Sequence, residues 1–340
     1  MSIWRQFLQS GAKAAVLGQK IDFEPPPEPD LVGLVVLALE HKLETALAPV
    51  VPELAPVITL HDHIYRDQTN WLKSNYSRFS HLDTLRFIQG FPRNRRFGPA
   101  LPASQRSDID YVISDKENIE LLRIFSGLGL RQTFFVDGEL VTLDDDEIAD
   151  IESSSGYAYP KNIPYSVDLP FQLPHMGSLE IGDALGPLRK MGEDFSLLVI
   201  FERTLSFGGP HDLEILLDKT NRILLDGLPT SNDEVYILFA TVRFYKATWN
   251  GEQRMRSLLE MAHVLGPGQS GFRTDLLLRL AEKSGLEREV YAVLDGFAEI
   301  SPEFAEACRQ RQLPLVPDMA WKQKMYEAQS GVGELLKLTG

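Results

Sequence analysis

The sequence predicts an α+β protein: a short mixed sheet flanked by helices, followed by a mostly helical C-terminal domain. Three observations predict it. Ile109, Tyr111 and Ile113 alternate with Asp108, Asp110 and Val112, the period of a strand with one buried face. Gln132 to Val136 and Glu139 to Leu143 flank Asp137-Gly138, a strong two-residue hairpin signal. From about Leu213 onward the apolar residues recur mainly at helical spacing.

In chain order, residues 1–24 are expected to form a helical arm, with Ile3, Trp4, Phe7 and Leu8 on one side, ended by the proline run Pro25-Pro-Pro-Glu-Pro29. The sheet-bearing core is expected over 30–212. Within it Leu31 to Leu47 reads as helix, and Leu60 to Phe87 as partly helical. Leu85 to Ile88 is a short apolar run closed by Gly90, followed by the basic loop Pro92-Arg-Asn-Arg-Arg96 and by Gly98-Pro-Ala-Leu-Pro102. Asn118 to Gly127 suits a helix with Ile119, Leu122, Ile124 and Phe125 as its apolar set. After the hairpin come the acidic segment Asp144-Asp-Asp-Glu147, a Ser/Gly-rich loop, and a strand candidate from Tyr165 to Phe171 containing Asp168.

The C-terminal domain spans 213–340. It holds one strand candidate, Arg222 to Leu225 closed by Asp226-Gly227. Ser231-Asn-Asp-Glu234 offers an N-cap for Val235 to Tyr245, and further helices fit Glu252 to Leu265, Thr274 to Ser284 and Arg288 to Ile300.

The bulk numbers set limits on function. A chain of 340 residues buries a full core without disulfide or structural metal. Its one cysteine, Cys308, has no partner for an intramolecular disulfide, no secretory signal pattern opens the sequence, and no apolar run approaches the roughly 20 residues needed to span a bilayer. The expectation is a cytoplasmic protein that does not cross a membrane. With 48 acidic residues against 34 Lys plus Arg, the net charge of −14 repels polyanions, so bulk nucleic-acid binding is not expected. A local basic patch still suffices for a triphosphate or one RNA end, because phosphate contacts act within about 8 to 10 Å.

The chemistry concentrates at Asp108 and Asp110. Carboxylates at i and i+2 of a strand project side by side and can hold a hard divalent cation through oxygen ligands. An Asp-x-Asp pair by itself usually marks a turn or a solvated edge. This one opens a strand with a buried face, follows a glycine-containing loop, precedes a helix, and gains nothing from two repelling same-face charges unless a cation joins them. Asp168 is the expected third carboxylate, from a neighbouring strand, and Arg93, Arg95, Arg96 and Arg106 stand near enough in sequence to grip triphosphate oxygens.

These residues resemble the poorly characterised nucleotidyltransferase-like proteins of the DNA polymerase beta superfamily. That pattern runs Lys-Gly, a loop, Arg, then Asp-Ile-Asp-Leu-Leu-Val; here stand Gln89-Gly90, a loop, Arg106 and Asp108-Ile-Asp-Tyr-Val-Ile113. Val167-Asp168-Leu169 is similar to the family's later Asp-Leu-His-Trp strand, and the resemblance covers roughly residues 84 to 300. It implies a nucleotidyltransferase-type sheet and transfer of NMP from an NTP, ATP foremost, to a hydroxyl or phosphate acceptor on a small molecule, a peptide or protein, or a tRNA end. It also implies Mg2+ or Mn2+ on Asp108, Asp110 and Asp168, with Gly90, Arg93, Arg95, Arg96 and Arg106 on the nucleotide. The chain departs from the pattern at Gln89 for lysine, Gly98-Pro99 for Gly-Ser, and Pro170-Phe171 for His-Trp. A second reading therefore stands beside the first: a catalytically silent nucleotide-binding or assembly protein on the same scaffold.

Other signals read as structural. His61-x-His63 has no second ligand pair at suitable spacing, and His175 reads as a loop histidine. Asp144 to Glu147 lacks the glycine and terminal glutamate of a calcium loop, and Arg243, Tyr245, Lys246, Trp249 and Arg254 sit at core-and-rim helical spacing. Cys308 reads as a packing residue.

Overall fold

The computed structural model describes residues 55–89, 108–136, 139–144, 146–147, 164–175, 188–191, 194–204, 211–249, 271–300 and 302–325. The expected helices at 1–24, 31–47 and 252–265 lie outside them.

The architecture is α+β, with a mixed sheet covered by helices. Helix α1 (Ala55–Asn75) leads into β1 (Arg86–Gln89) and β2 (Asp108–Val112). Then follow α2 (Asp115–Gly127), the hairpin β3 (Arg131–Val136) and β4 (Glu139–Thr142), β5 (Tyr165–Phe171), and the pair β6 (Leu188–Met191) and β7 (Asp194–Arg203). A short α3 (Asp212–Leu217) precedes a second hairpin, β8 (Arg222–Leu225) and β9 (Leu228–Ser231). Helices α4 (Asp233–Trp249), α5 (Thr274–Ser284), α6 (Glu287–Ile300) and α7 (Pro302–Gln310) complete the order.

The strands lie in the order β4-β3-β5-β7-β2-β1-β9-β8, with β6 also paired to β7. Two pairings are parallel, β2 with β7 and β1 with β9; the others are antiparallel. The ten-residue β7 is the axis of the sheet. Along one edge it pairs β5 through Phe195–Phe201, and along the other it pairs first β6 and then β2. Because β8 and β9 join this sheet through β1, the sheet runs past residue 213.

Alternation decides which residues meet which layer. One face presents Phe87, Ile109, Tyr111, Leu197, Val199, Phe201 and Tyr165 to Leu60, Ile64 and Leu72 of α1 and to Leu121 and Phe125 of α2. Phe125 is the hub, with its ring 4.7 Å from Phe201, 5.9 Å from Tyr165 and edge-on to Tyr111 at 6.0 Å. Each such pair contributes about 0.5–1.5 kcal/mol beyond area burial. On the other face Ile88 and Val112 pack with α3 to α6, around an α4 that is buried nearly all round.

Local signals place the helix starts. Ser114 caps α2 by accepting from Glu117 N at 3.4 Å, and Asn232 caps α4 by accepting from Val235 N at 3.0 Å. The buried face of α2 is Asn118, Leu121 and Phe125, whereas Ile119, expected inside, is 58% exposed. The β8–β9 turn has Asp226 at φ 54° and Gly227 at φ 83°, the left-handed pair of a type I′ hairpin.

Candidate functional site

Strand β2 puts Ile109 and Tyr111 into the α1–α2 core and leaves Asp108 and Asp110 in phase with Val112, on the sheet face that carries the C-terminal helices. In the parallel register Asp108 lies beside Ile200 and Asp110 beside Glu202 of β7. Asp110 and Glu202 are therefore in-register neighbours on one face, about 4.8 Å apart across the strands. A single hard cation with oxygens at about 2.0–2.1 Å accommodates ligands from such neighbours.

Asp168 of β5 lies on the same face, in register with Leu198, and its Oδ1 accepts from Ser196 Oγ at 3.3 Å. Its neighbour is β7, however, and β2 is one strand further on. Two strand spacings and a two-residue offset put its Cα roughly 12 Å from that of Asp108, and a four-residue offset puts it roughly 16 Å from that of Asp110. The strand next to the aspartate pair carries Glu202 beside Asp110. Among the described residues no group of three or more His, Cys, Asp and Glu is arranged to hold a metal; the Asp108 side chain lies outside them.

Register also places the basic loop. A bulge at Ile88 shifts the β1–β2 ladder, so that Phe87 pairs Tyr111 and Gln89 pairs Asp110. The connection 90–107 thus leaves from beside Asp110 and returns at Asp108. Gly90, Arg93, Arg95, Arg96 and Arg106 belong to that connection and lie outside the described residues.

The Asp110–Glu202 register is fixed from behind. Arg203, buried on the opposite face, donates from Nη2 to Ile113 O and to Asp115 Oδ1, each at 2.8 Å, and Thr204 N donates to Tyr111 O at 2.8 Å. These bonds tie the C-terminal end of β7 to the end of β2. Burial pushes the Tyr111 phenol up, despite the opposing charge of Arg203, so it stays protonated at physiological pH.

Of the remaining candidates, Arg254 and the His61 side chain lie outside the described residues, and others make local contacts. Asp144 Oδ1 accepts from Asp146 N and Glu147 N while Glu147 Oε2 accepts from Asp144 N, a reciprocal set of local hydrogen bonds. Tyr245 stacks on Trp321 at 5.5 Å and donates to Asp318 Oδ2, and Trp249 meets its edge at 6.3 Å. His63 lies on α1 with Nδ1 3.4 Å from Arg66 Nη2, His175 is exposed after β5, and the Cys308 thiol is buried and pushed up to about 12.

Sequence reasoning missed Glu202, and one signal could have found it: the apolar run Phe195 to Phe201, broken only by Ser196 and closed by Glu202-Arg203, has the composition of a strand buried on both faces. No helix of the described residues is long and apolar enough to cross a membrane. In comparisons with protein-family models, curated proteins and solved structures, nothing matches the chain.

Proposed function

We propose that the chain is a nucleotidyltransferase that moves NMP from an NTP, ATP foremost, to a hydroxyl or phosphate acceptor, and that Asp108, Asp110 and Glu202 form its carboxylate set. The observation that supports this reading is the in-register pair Asp110–Glu202 beside Asp108 on one sheet face. Three carboxylate side chains from two adjacent strands are an oxygen donor set suited to Mg2+ or Mn2+. An ion held there would neutralise triphosphate charge and lower the pKa of the attacking oxygen.

The chain's own contributions follow from placement. Arg93, Arg95, Arg96 and Arg106, which stand in sequence between β1 and β2, are assigned to orient the triphosphate. The acceptor oxygen bonds to the α-phosphorus as the bond from that phosphorus to the β-bridging oxygen breaks. Pyrophosphate leaves, and a carboxylate of the set takes the acceptor's proton. Asp168, separated from Asp110 by β7 and bonded to Ser196, is given no ion in this scheme.

The test is magnesium-dependent release of pyrophosphate together with transfer of label from α-labelled NTP. Asp110→Asn and Glu202→Gln are each expected to lower transfer by about a hundredfold or more, and Asp168→Asn by only a few-fold. Transfer that survives both Asp110→Asn and Glu202→Gln would refute the assignment. The departures at Gln89 and Gly98-Pro99 favour the silent nucleotide-binding reading. Calorimetry with magnesium and each of the four triphosphates decides it: binding without turnover upholds that reading, and turnover removes it.

A further inference from the structure

At the β8 end of the sheet, on the side of β1 away from β7, lies a cavity of about 290 Å3 lined by Asp83, Lys219, Arg222, Ile223 and Leu224. The Nε of Arg222 is buried there without a hydrogen-bond partner. Arg86 adjoins this wall. It is fully buried, and its Nη1 donates to the backbone oxygens of Asp83 at 2.7 Å and Leu85 at 2.8 Å, while its Nε and Nη2 are buried with no partner.

Two guanidinium groups with unmade donors are thus crowded together, Arg222 also bonding the Tyr76 hydroxyl through its remaining donors. Burial, and then the charge of Arg222, lower the Arg86 pKa to about 10, and Glu117 and Asp83 oppose that only in part. The nearby carboxylates are already engaged. Glu117 Oε2 accepts from both Thr84 N and Thr84 Oγ1, and the exposed Asp83 stands 3.8 Å from Lys219 Nζ. A buried cation with unmade hydrogen bonds is strongly destabilising unless an anion meets it, and a tetrahedral oxyanion accepts several N–H donors at once.

We propose that this cavity binds a phosphate group, carried by inorganic phosphate or by a small phosphomonoester, with Arg222 and Lys219 as its direct ligands and Arg86 as the positive charge behind them. The pocket is open to solvent, and its volume, near the small end of ligand sites at about 300–1,000 Å3, suits a phosphate carrying a few carbons. The site is separate from the carboxylates. Arg86 pairs Val112, two residues beyond Asp110, and β9 and β8 continue away from β7.

The experiment is calorimetric titration of the full chain with inorganic phosphate and, in a second arm, with glycerol phosphate, in low-salt buffer containing EDTA so that no ion can hold phosphate at the carboxylates. Saturable binding is expected, weakened about tenfold or more by Arg222→Met or Lys219→Met and unchanged by Asp110→Asn. The tighter of the two arms identifies the source. Arg86→Met is expected to abolish binding. Should it fail to fold, the more accessible Arg222 and Lys219 variants still carry the test. Absence of binding in both arms, or binding that survives Arg222→Met and Lys219→Met combined, would overturn the proposal.

Discussion

Replacing Gly296 by alanine tests the packing of the helical layer. Gly296 lies within α6, and an ideal Cβ built on it falls 2.7 Å from Trp321 Cζ3 and 3.4 Å from Met325 Sδ. Carbon contacts are optimal at about 3.5–4.0 Å, so the ring must retreat by about 0.8 Å. It is not free to do so: Trp321 is fully buried, stacked on Tyr245 at 5.5 Å, edge-on to Phe244 at 6.0 Å, and donates from Nε1 to Tyr245 O at 3.1 Å. Overpacking of this kind costs about 1–3 kcal/mol. Alanine returns up to about 1 kcal/mol of helix propensity, so the net loss is expected near 1–2 kcal/mol. Gly127 is the internal control, because it ends α2 with nothing within 4 Å of a built Cβ. Gly127→Ala is expected to stabilise by about 0.4–1 kcal/mol. Urea unfolding followed by far-ultraviolet circular dichroism reads both as shifts of the midpoint at constant slope. A Gly296→Ala protein as stable as the parent would refute the argument.

Further outcomes follow from the same layers. Burial raises the pKa of the Asp318 carboxyl, but hydrogen bonds from Trp321 N, Tyr245 and Arg288 outweigh it and hold the group below its ordinary 3.8. A depressed carboxylate stabilises the fold above its unfolded pKa and loses that contribution as pH falls through the folded one. Stability between pH 5 and pH 2 should therefore fall less steeply in Asp318→Asn than in the parent, and equal slopes in acid denaturation would contradict this. Cys308, with its thiol pushed up to about 12 by burial, should resist alkylation at pH 8 in the folded chain and react on unfolding, as mass spectrometry would show. Lys322, buried beside the part-exposed Asp295 and Glu299, should cost about 1–3 kcal/mol when replaced by alanine, because Asp295 then loses its cation. A loss under about 1 kcal/mol in urea unfolding would show that water already compensates Asp295.

The legible parts of the fold were those where polar and apolar residues alternate. β2 announced itself because Asp108 and Asp110 alternate with Ile109 and Tyr111, and in both hairpins Asp-Gly stands between the paired strands in the sequence. The longest strand was illegible for the opposite reason. Residues 196–201 of β7 are buried on both faces, so they carry no alternation, and a short apolar run does not declare its period. With β7 unread, Asp168 is the nearest strand-borne carboxylate to the aspartate pair in the sequence, and the register of Glu202 beside Asp110 is invisible. The misplaced face of α2 has a similar origin. Ile119 satisfies helical spacing, but Asn118 takes the inward position, with its Oδ1 3.4 Å from the Tyr111 hydroxyl, a choice apolar counting cannot make.

The parallel pairing of β2 with β7 sets a clock for the growing chain. Val112 is finished 91 residues before Arg203, so at about 5–20 residues per second the ribosome needs roughly 5–18 s to supply the strand that β2 awaits. Through that interval the aspartate pair stands on a sheet margin of unmade backbone hydrogen bonds, open to wrong partners. Nascent chains stalled between residues 112 and 203 should therefore engage chaperones and aggregate more readily than chains stalled past 203, with Glu202 emerging just as that exposure ends.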